Sequence, residues 1–274
     1  MVMNTRLWQA ETIQAFSNYF QSRQAVKAAI LVGSNANASV DSWSDVDLVC
    51  VVDSLHVDEF FPDTHWLAAF GDIFGIEQST RSFTRVTRVC FADFRRVDLV
   101  FMPESALSRP ENWRYSLLES HVLFSRSTAV DIALRAGTVA QAALPAFDEQ
   151  QFESMAQRFW FKAAIAVAKV RRNDLLIGLH LALDLARDCL VLAMMLRDVA
   201  AGTHIHRYGG PYNEVIGQIG MGTFQPTAQG ILDLVVQCAL TFDNLAIRLQ
   251  PTYRRKAEWV QKWLTHDYSV WQVG

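Results

Sequence analysis

A glycine–serine pair followed by two carboxylates one residue apart constrains this chain more than any other feature. The stretch runs Ala28-Ala29-Ile30-Leu31-Val32-Gly33-Ser34, then a polar loop, then Ser44-Asp45-Val46-Asp47-Leu48-Val49-Cys50-Val51-Val52. An apolar strand leads into a small-residue turn, and a second apolar strand begins with the two acids. Residues two apart on a strand point to the same face. Asp45 and Asp47 therefore project together, beside the turn made by Gly33 and Ser34. Adjacent like charges repel, and they persist most easily where a divalent cation neutralises them. Hard oxygen ligands of this kind suit Mg²⁺, which reaches its sites together with substrate phosphates.

Arg95-Arg96-Val97-Asp98-Leu99-Val100-Phe101 reads as another buried strand with one acid in an apolar run. An unpaired buried Asp is costly. If this strand lies beside the Asp45/Asp47 strand, Asp98 completes a three-carboxylate cradle of the type used in two-metal phosphoryl or nucleotidyl transfer. A lone D-x-D is as often a solvated turn. The upstream Gly-Ser, the strand flanks and the third strand acid favour the chemical reading.

With these residues in place, the chain resembles the nucleotidyltransferases of the polymerase-beta superfamily. Within them it resembles the aminoglycoside nucleotidyltransferases, above all the streptomycin 6-adenylyltransferase group. The further shared features are His65-Trp66-Leu67-Ala68-Ala69-Phe70-Gly71, Val97-Asp98-Leu99-Val100-Phe101-Met102-Pro103-Glu104, Phe159-Trp160 on a long helix, Lys169 near its end and Arg187 in the next helix. The resemblance is strong over residues 28 to 104 and looser from 150 to 215. It implies an α+β chain, with an N-terminal nucleotidyltransferase domain (1–135) of mixed β-sheet and flanking helices. A C-terminal helical-bundle domain (136–274) would bind the acceptor. The implied reaction moves AMP from ATP, with Mg²⁺, onto a hydroxyl of a small-molecule antibiotic, first an aminoglycoside such as streptomycin. Asp45, Asp47 and Asp98 would hold metal, Gly33 and Ser34 would cradle the triphosphate, and Lys169 and Arg187 would contact nucleotide. Asp184, Asp188 and Glu214 are candidate partners for a cationic acceptor in a cleft between the domains, although ordinary surface charge is the commoner use of any one of them.

The proton acceptor is Asp98 or a residue of the second half. In the resembled group a carboxylate follows the Lys, and the matching position here is His180. Asp184 lies one turn further on. His180, Asp184 and Arg187 share one helical face by spacing, so Asp184 is placed to orient the imidazole. A His on an apolar helical face is more often a packing residue. Rival functions are transfer to a lincosamide, transfer to tRNA or protein as in toxin–antitoxin systems, and a non-catalytic nucleotide-binding relative.

Composition bears on these rivals. The formal charge is -3 and the pI near 6.2, without the basic surplus of a nucleic-acid binder. The four cysteines are scattered through apolar runs with no C-x-x-C, which fits buried free thiols rather than zinc. The N-terminal residues lack a signal-peptide pattern and the longest apolar run is too short to span a bilayer, so a cytoplasmic enzyme without membrane attachment is expected. Arg81, Arg85, Arg88, Arg95 and Arg96 read mostly as the wet face of the sheet, with one of them, not identified by the sequence, in reach of phosphate. His56, His65, His204 and His206 share no metal-ligand pattern.

Periodicity predicts a helix over about 5–21, strands over 26–32 and 45–52, a short helix near 63–70, strands over 85–91 and around Asp98, and a helix over 111–119. Beyond a junction between Ala136 and Ala146 it predicts only helices. These are one capped by Asp148, one from Asn173 to about Ala200, one over 227–249, and a last one capped by Thr252 and ending at Trp263.

Overall fold

Residues 6–36, 40–81, 83–109, 120–139, 148–201 and 212–265 are described in the computed structural model. The chain forms two compact units, Met1–Ala142 and Ala143–Gly274.

The first unit is built on a six-stranded mixed sheet in the order β3-β4-β5-β2-β1-β6. Its strands are β1 (Val26–Val32), β2 (Val46–Val52), β3 (Ile73–Arg81), β4 (Thr84–Phe91), β5 (Arg96–Pro103) and β6 (His121–Ser125). The β2–β5 pair is parallel and every other pair antiparallel. Strand β2 is almost continuously apolar because both its faces are covered. Val46, Leu48, Cys50 and Val52 enter one core with Phe16 and Phe20 of α1 (Arg6–Gln21), and with Leu67, Phe91, Leu99 and Phe101. Val49 and Val51 enter a second core with Ile30, Met102, Val130 and Ala133, the last two on α2 (Thr128–Val139). Aromatic contacts stiffen the first core. Phe16 stacks on Phe70 at 3.9 Å between ring centroids and Phe60 on Phe101 at 5.2 Å. Trp66 and Phe70, two of the shared motif residues, thus belong to the packing of α1 against the sheet. The 3-10 turn over His65–Phe70 carries them.

Two strands and a helix of the first unit go beyond the sequence reading. Strand β3 is an edge strand with mostly exposed side chains, so it shows no apolar alternation. Strand β6 is only five residues long, and α2 begins at Thr128 and runs into the stretch from Ala136 where small residues suggest a junction. The expected helix over 111–119 lies outside the described residues, as do His204 and His206.

In the second unit, α3 (Glu149–Arg171), α4 (Leu175–Ala201), α5 (Val215–Gln218), α6 (Ala228–Leu249) and α7 (Ala257–Thr265) pack around one core. Asp148 caps α3 by accepting from the Gln151 N–H, and Thr227 caps α6 by accepting from the Gly230 N–H. The start of α7 corrects the sequence reading, because Thr252 does not cap it. The helix begins at Ala257, and its first N–H groups are bound by Asp243 of α6. That carboxylate accepts from the backbone of Lys256 at 2.9 Å and of Ala257 at 2.8 Å. Phe159 stacks on Phe242 at 3.9 Å, and the Trp160 indole donates to the Tyr253 hydroxyl. By length and composition α6 passes as a membrane-crossing helix, yet most of it is buried in this core.

Cys50, Cys189 and Cys238 are buried free thiols and Cys90 is half-buried and free, in line with the reading of their apolar surroundings.

Candidate active site

The site is assembled where the two parallel strands begin. Asp47 and Asp98 are direct partners in the β2–β5 register, and Asp45 lies one residue ahead of β2. All three are half-buried, and one carboxylate oxygen from each lies within 4.8 Å of the others. The alternation of β2 and β5 explains the shared direction. Asp47 points the way Val49 and Val51 do, and Asp98 the way Val100 and Met102 do, toward the face that carries α2.

The turn after β1 closes one side. Gly33 opens a 3-10 turn over Gly33–Asn35. It sits at φ +71, and a Cβ there would lie 2.3 Å from Asp47 Oδ2. Left-handed backbone and this close approach both demand glycine. Beside the triphosphate role expected of it, the glycine leaves room for the Asp47 carboxylate. Ser34 is half-buried in the same turn.

Three supporting residues carried no sequence signal. The Asn35 amide donates to the Asp45 carbonyl at 2.6 Å, locking the turn to the loop ahead of β2. The buried Gln9 amide on α1 donates to the carbonyls of Asp41 at 2.9 Å and Ser44 at 3.3 Å. The third is Arg88, whose Nε donates to Asp98 Oδ2 at 2.9 Å and whose Nη1 donates to Glu77 Oε2 at 3.2 Å. Arg88 is exposed, as a wet-face arginine is expected to be, yet it is tied to two carboxylates. Arg95 donates to the Phe70 carbonyl and lies over the Phe91 ring, and Arg96 donates to the Trp43 carbonyl. Their guanidiniums are structural fixtures around the site.

Burial pushes the Asp98 carboxyl above its ordinary value, and the charge of Asp45 adds to this against the opposing Arg88 hydrogen bond. The Arg88 guanidinium is shifted upward by its bonds to Glu77 and Asp98. An ordinary ion pair would lower the acid, so desolvation and the neighbouring acid outweigh the arginine. The sign for stability follows. A carboxyl whose value is raised on folding binds more protons folded than unfolded, so its contribution declines as pH rises from the ordinary carboxylate range upward. In metal-free protein, Asp98→Asn is expected to remove that decline and to raise stability at neutral pH. Urea midpoints of the two proteins in chelator, compared from about pH 4 to 7, check this. Parallel curves would refute it.

The candidate residues of the second unit are placed as follows. Lys169, half-buried at the end of α3, pairs with Asp174 at 3.1 Å. Asp188 and Asp184 on α4 both face Lys162 of α3, at 2.5 and 3.7 Å. Lys162 was missed, because a lysine inside an amphipathic helix looks like any solvated position. Arg187 is exposed, 3.9 Å from Asp188. His180 is exposed, and among the described residues it has no hydrogen bond or ion pair; Asp184 is turned to Lys162 instead of the imidazole. Glu214 is exposed just ahead of α5.

Comparison with known proteins adds the family. No curated protein matches the chain. Among solved structures it is similar to an aminoglycoside 6-adenyltransferase from Bacillus subtilis, at 12% identity, over 93% of this chain and 96% of that one, with a TM-score of 0.39. It is also similar to a nucleotidyltransferase-like protein from Exiguobacterium sibiricum 255-15, at 12% identity, over 90% and 81% of the two chains, with a TM-score of 0.31. These likenesses are distant. The streptomycin adenylyltransferase family model, by contrast, matches residues 8–210, a span that takes in the glycine–serine turn, all three clustered acids and the helices carrying Lys169 and Arg187. The chain belongs to the streptomycin adenylyltransferase family.

Proposed function

We propose that this enzyme is a Mg²⁺-dependent adenylyltransferase that moves AMP from ATP to a hydroxyl of an aminoglycoside, with streptomycin as the first candidate. The observation that carries the reading is the convergence of Asp45, Asp47 and Asp98 from three positions in the sequence onto one cradle beside the Gly33 turn. The donor set fits the ion. Three half-buried carboxylates offer hard oxygen ligands and accumulate charge that a divalent cation relieves. A Cβ at Gly33 would fill the space Asp47 occupies.

On this reading Asp45 and Asp47 hold metal and Asp98 is the third ligand. When bound, the ion polarises the phosphoryl oxygens and neutralises charge as it develops. The acceptor hydroxyl oxygen attacks the α-phosphorus, the bond to the bridging α–β oxygen breaks, and pyrophosphate leaves. Asp98, in the acid cluster, takes the hydroxyl proton; His180, exposed on α4, is the alternative base. Ser34 donates to the triphosphate from the turn. Lys169 and Arg187 supply cationic contacts to the nucleotide. Asp184, Asp188 and Glu214 attract the cationic acceptor, with Lys162 setting how much of the charge of Asp184 and Asp188 is available. The catalytic and acceptor-binding domains are assigned to residues 1–135 and 136–274, and the enzyme is placed in the cytoplasm.

Transfer of label from α-³²P-ATP tests the reading, with streptomycin, a second aminoglycoside, a lincosamide and tRNA as acceptors. Label on streptomycin is expected, and its KM should rise severalfold from about 50 to 500 mM salt, because the screening length falls from about 14 Å to about 4 Å over that range. Label found only on the lincosamide or on tRNA would overturn the acceptor assignment. A flat KM would overturn its electrostatic basis.

A further inference from the structure

Arg88 brings a fixed positive charge into contact with a cluster that reads as a cation site. It stands opposite Asp98 in the β4–β5 register, and its fork spans Asp98 on one side and Glu77 of β3 on the other. A guanidinium stays protonated at any working pH and cannot move aside as a neutral group. It is 44% exposed and Asp98 26%, so the pair is partly shielded from solvent. Asp98 Oδ2 is engaged by Arg88 Nε, which orients the carboxylate that clusters with Asp45 and Asp47.

We propose that Arg88 is a positioning residue that holds Asp98 and restrains cation binding, so that divalent metal is retained chiefly together with the nucleotide, while Glu77 sets the strength of that restraint. The inference rests on the metal reading given above. Its logic is charge balance. Three carboxylates and one guanidinium leave a formal charge of −2, which a single divalent ion neutralises. A second ion then finds no net attraction until a triphosphate supplies negative charge. Without Arg88 the cluster carries −3 and binds its first ion more tightly. Glu77 is two-thirds exposed. It draws the guanidinium away from Asp98, and its loss leaves Arg88 committed to Asp98 and the restraint stronger. The two substitutions therefore shift metal affinity in opposite directions, which a merely structural role would not do.

The test is Mn²⁺ titration of the metal-free full chain, followed by the electron paramagnetic resonance of free Mn²⁺ at fixed ionic strength, with and without a non-hydrolysable α,β-methylene ATP. Without nucleotide, Arg88→Gln is expected to bind Mn²⁺ roughly tenfold more tightly than the natural protein, Glu77→Gln roughly twofold more weakly, and Arg88→Lys about as the natural protein does. Thermal unfolding of each variant reports the fold. Glu77→Gln, on an exposed edge strand, decides the question alone if Arg88→Gln does not fold. Natural protein that binds Mn²⁺ with no tightening in Arg88→Gln, or two substitutions that shift affinity the same way, would overturn the inference while leaving the metal reading intact. Natural protein that binds no Mn²⁺ even with the nucleotide analogue would remove both.

Discussion

Asp47→Asn is expected to lower kcat/KM for nucleotidyl transfer by about 10³-fold or more while the unfolding temperature of the metal-free protein moves by only about 3 °C or less. The amide keeps the size of the side chain that packs against Gly33, so the turn and strand β2 keep their geometry. What changes is charge. One of three clustered anions is lost, which removes a ligand and at the same time relieves repulsion. Asp45→Asn should behave alike, since it shares the cluster. Steady-state kinetics beside circular-dichroism melts separate the two quantities. Near-normal turnover in either variant would sink the assignment of the site, and a collapse of the melting temperature would make the acids structural instead.

A comparably large effect, on stability, is expected at a residue with no part in the chemistry. Asp243→Ala should destabilise the helical unit by about 3 kcal/mol or more, lowering its melting temperature by roughly 10 °C. Asp243 is only 2% exposed. It accepts from the Tyr253 hydroxyl at 2.8 Å and from the backbone of Lys256 and Ala257. Tyr253 in turn accepts from the Trp160 indole. Burial and the bond to Asp243 push the tyrosine hydroxyl well above its usual range, so it stays a donor. Alanine would strand these donors inside the core and remove the cap of α7. Asp243→Asn keeps one acceptor oxygen and should lose markedly less. Equal losses in the two variants would show that packing, not hydrogen bonding, is what the site supplies.

The acid cluster was legible because its signal is local. Two carboxylates at strand spacing and a glycine before a loop are read directly from order and polarity, and the third acid stands out in an apolar run. The core helices were legible for the same reason, since Asp148 caps the segment it precedes and the apolar spacing over 227–249 is helical. What was not legible depends on partners far apart in the chain. The cap of α7 comes from Asp243 on the preceding helix, and the nearby Thr252 was the natural but incorrect choice. Arg88 looks like any outward residue of an alternating strand until β5 is laid beside it. Lys162 acquires its meaning only from Asp188 on the next helix. Strand β3 gave no alternation because an edge with mostly exposed side chains has no apolar side to advertise.

The parallel pairing of β2 with β5 has a further consequence, for folding. Parallel neighbours cannot be joined by a hairpin, and here the chain between them runs out through β3 and β4 before it returns. Asp47 and Asp98 therefore meet only after a long loop has closed, a step whose entropy cost precedes its reward. No hairpin or local fragment of the first unit contains the cradle. The mutual repulsion of the acids falls on this long-range contact, so a cation that binds the finished cluster is expected to slow unfolding more than it speeds folding.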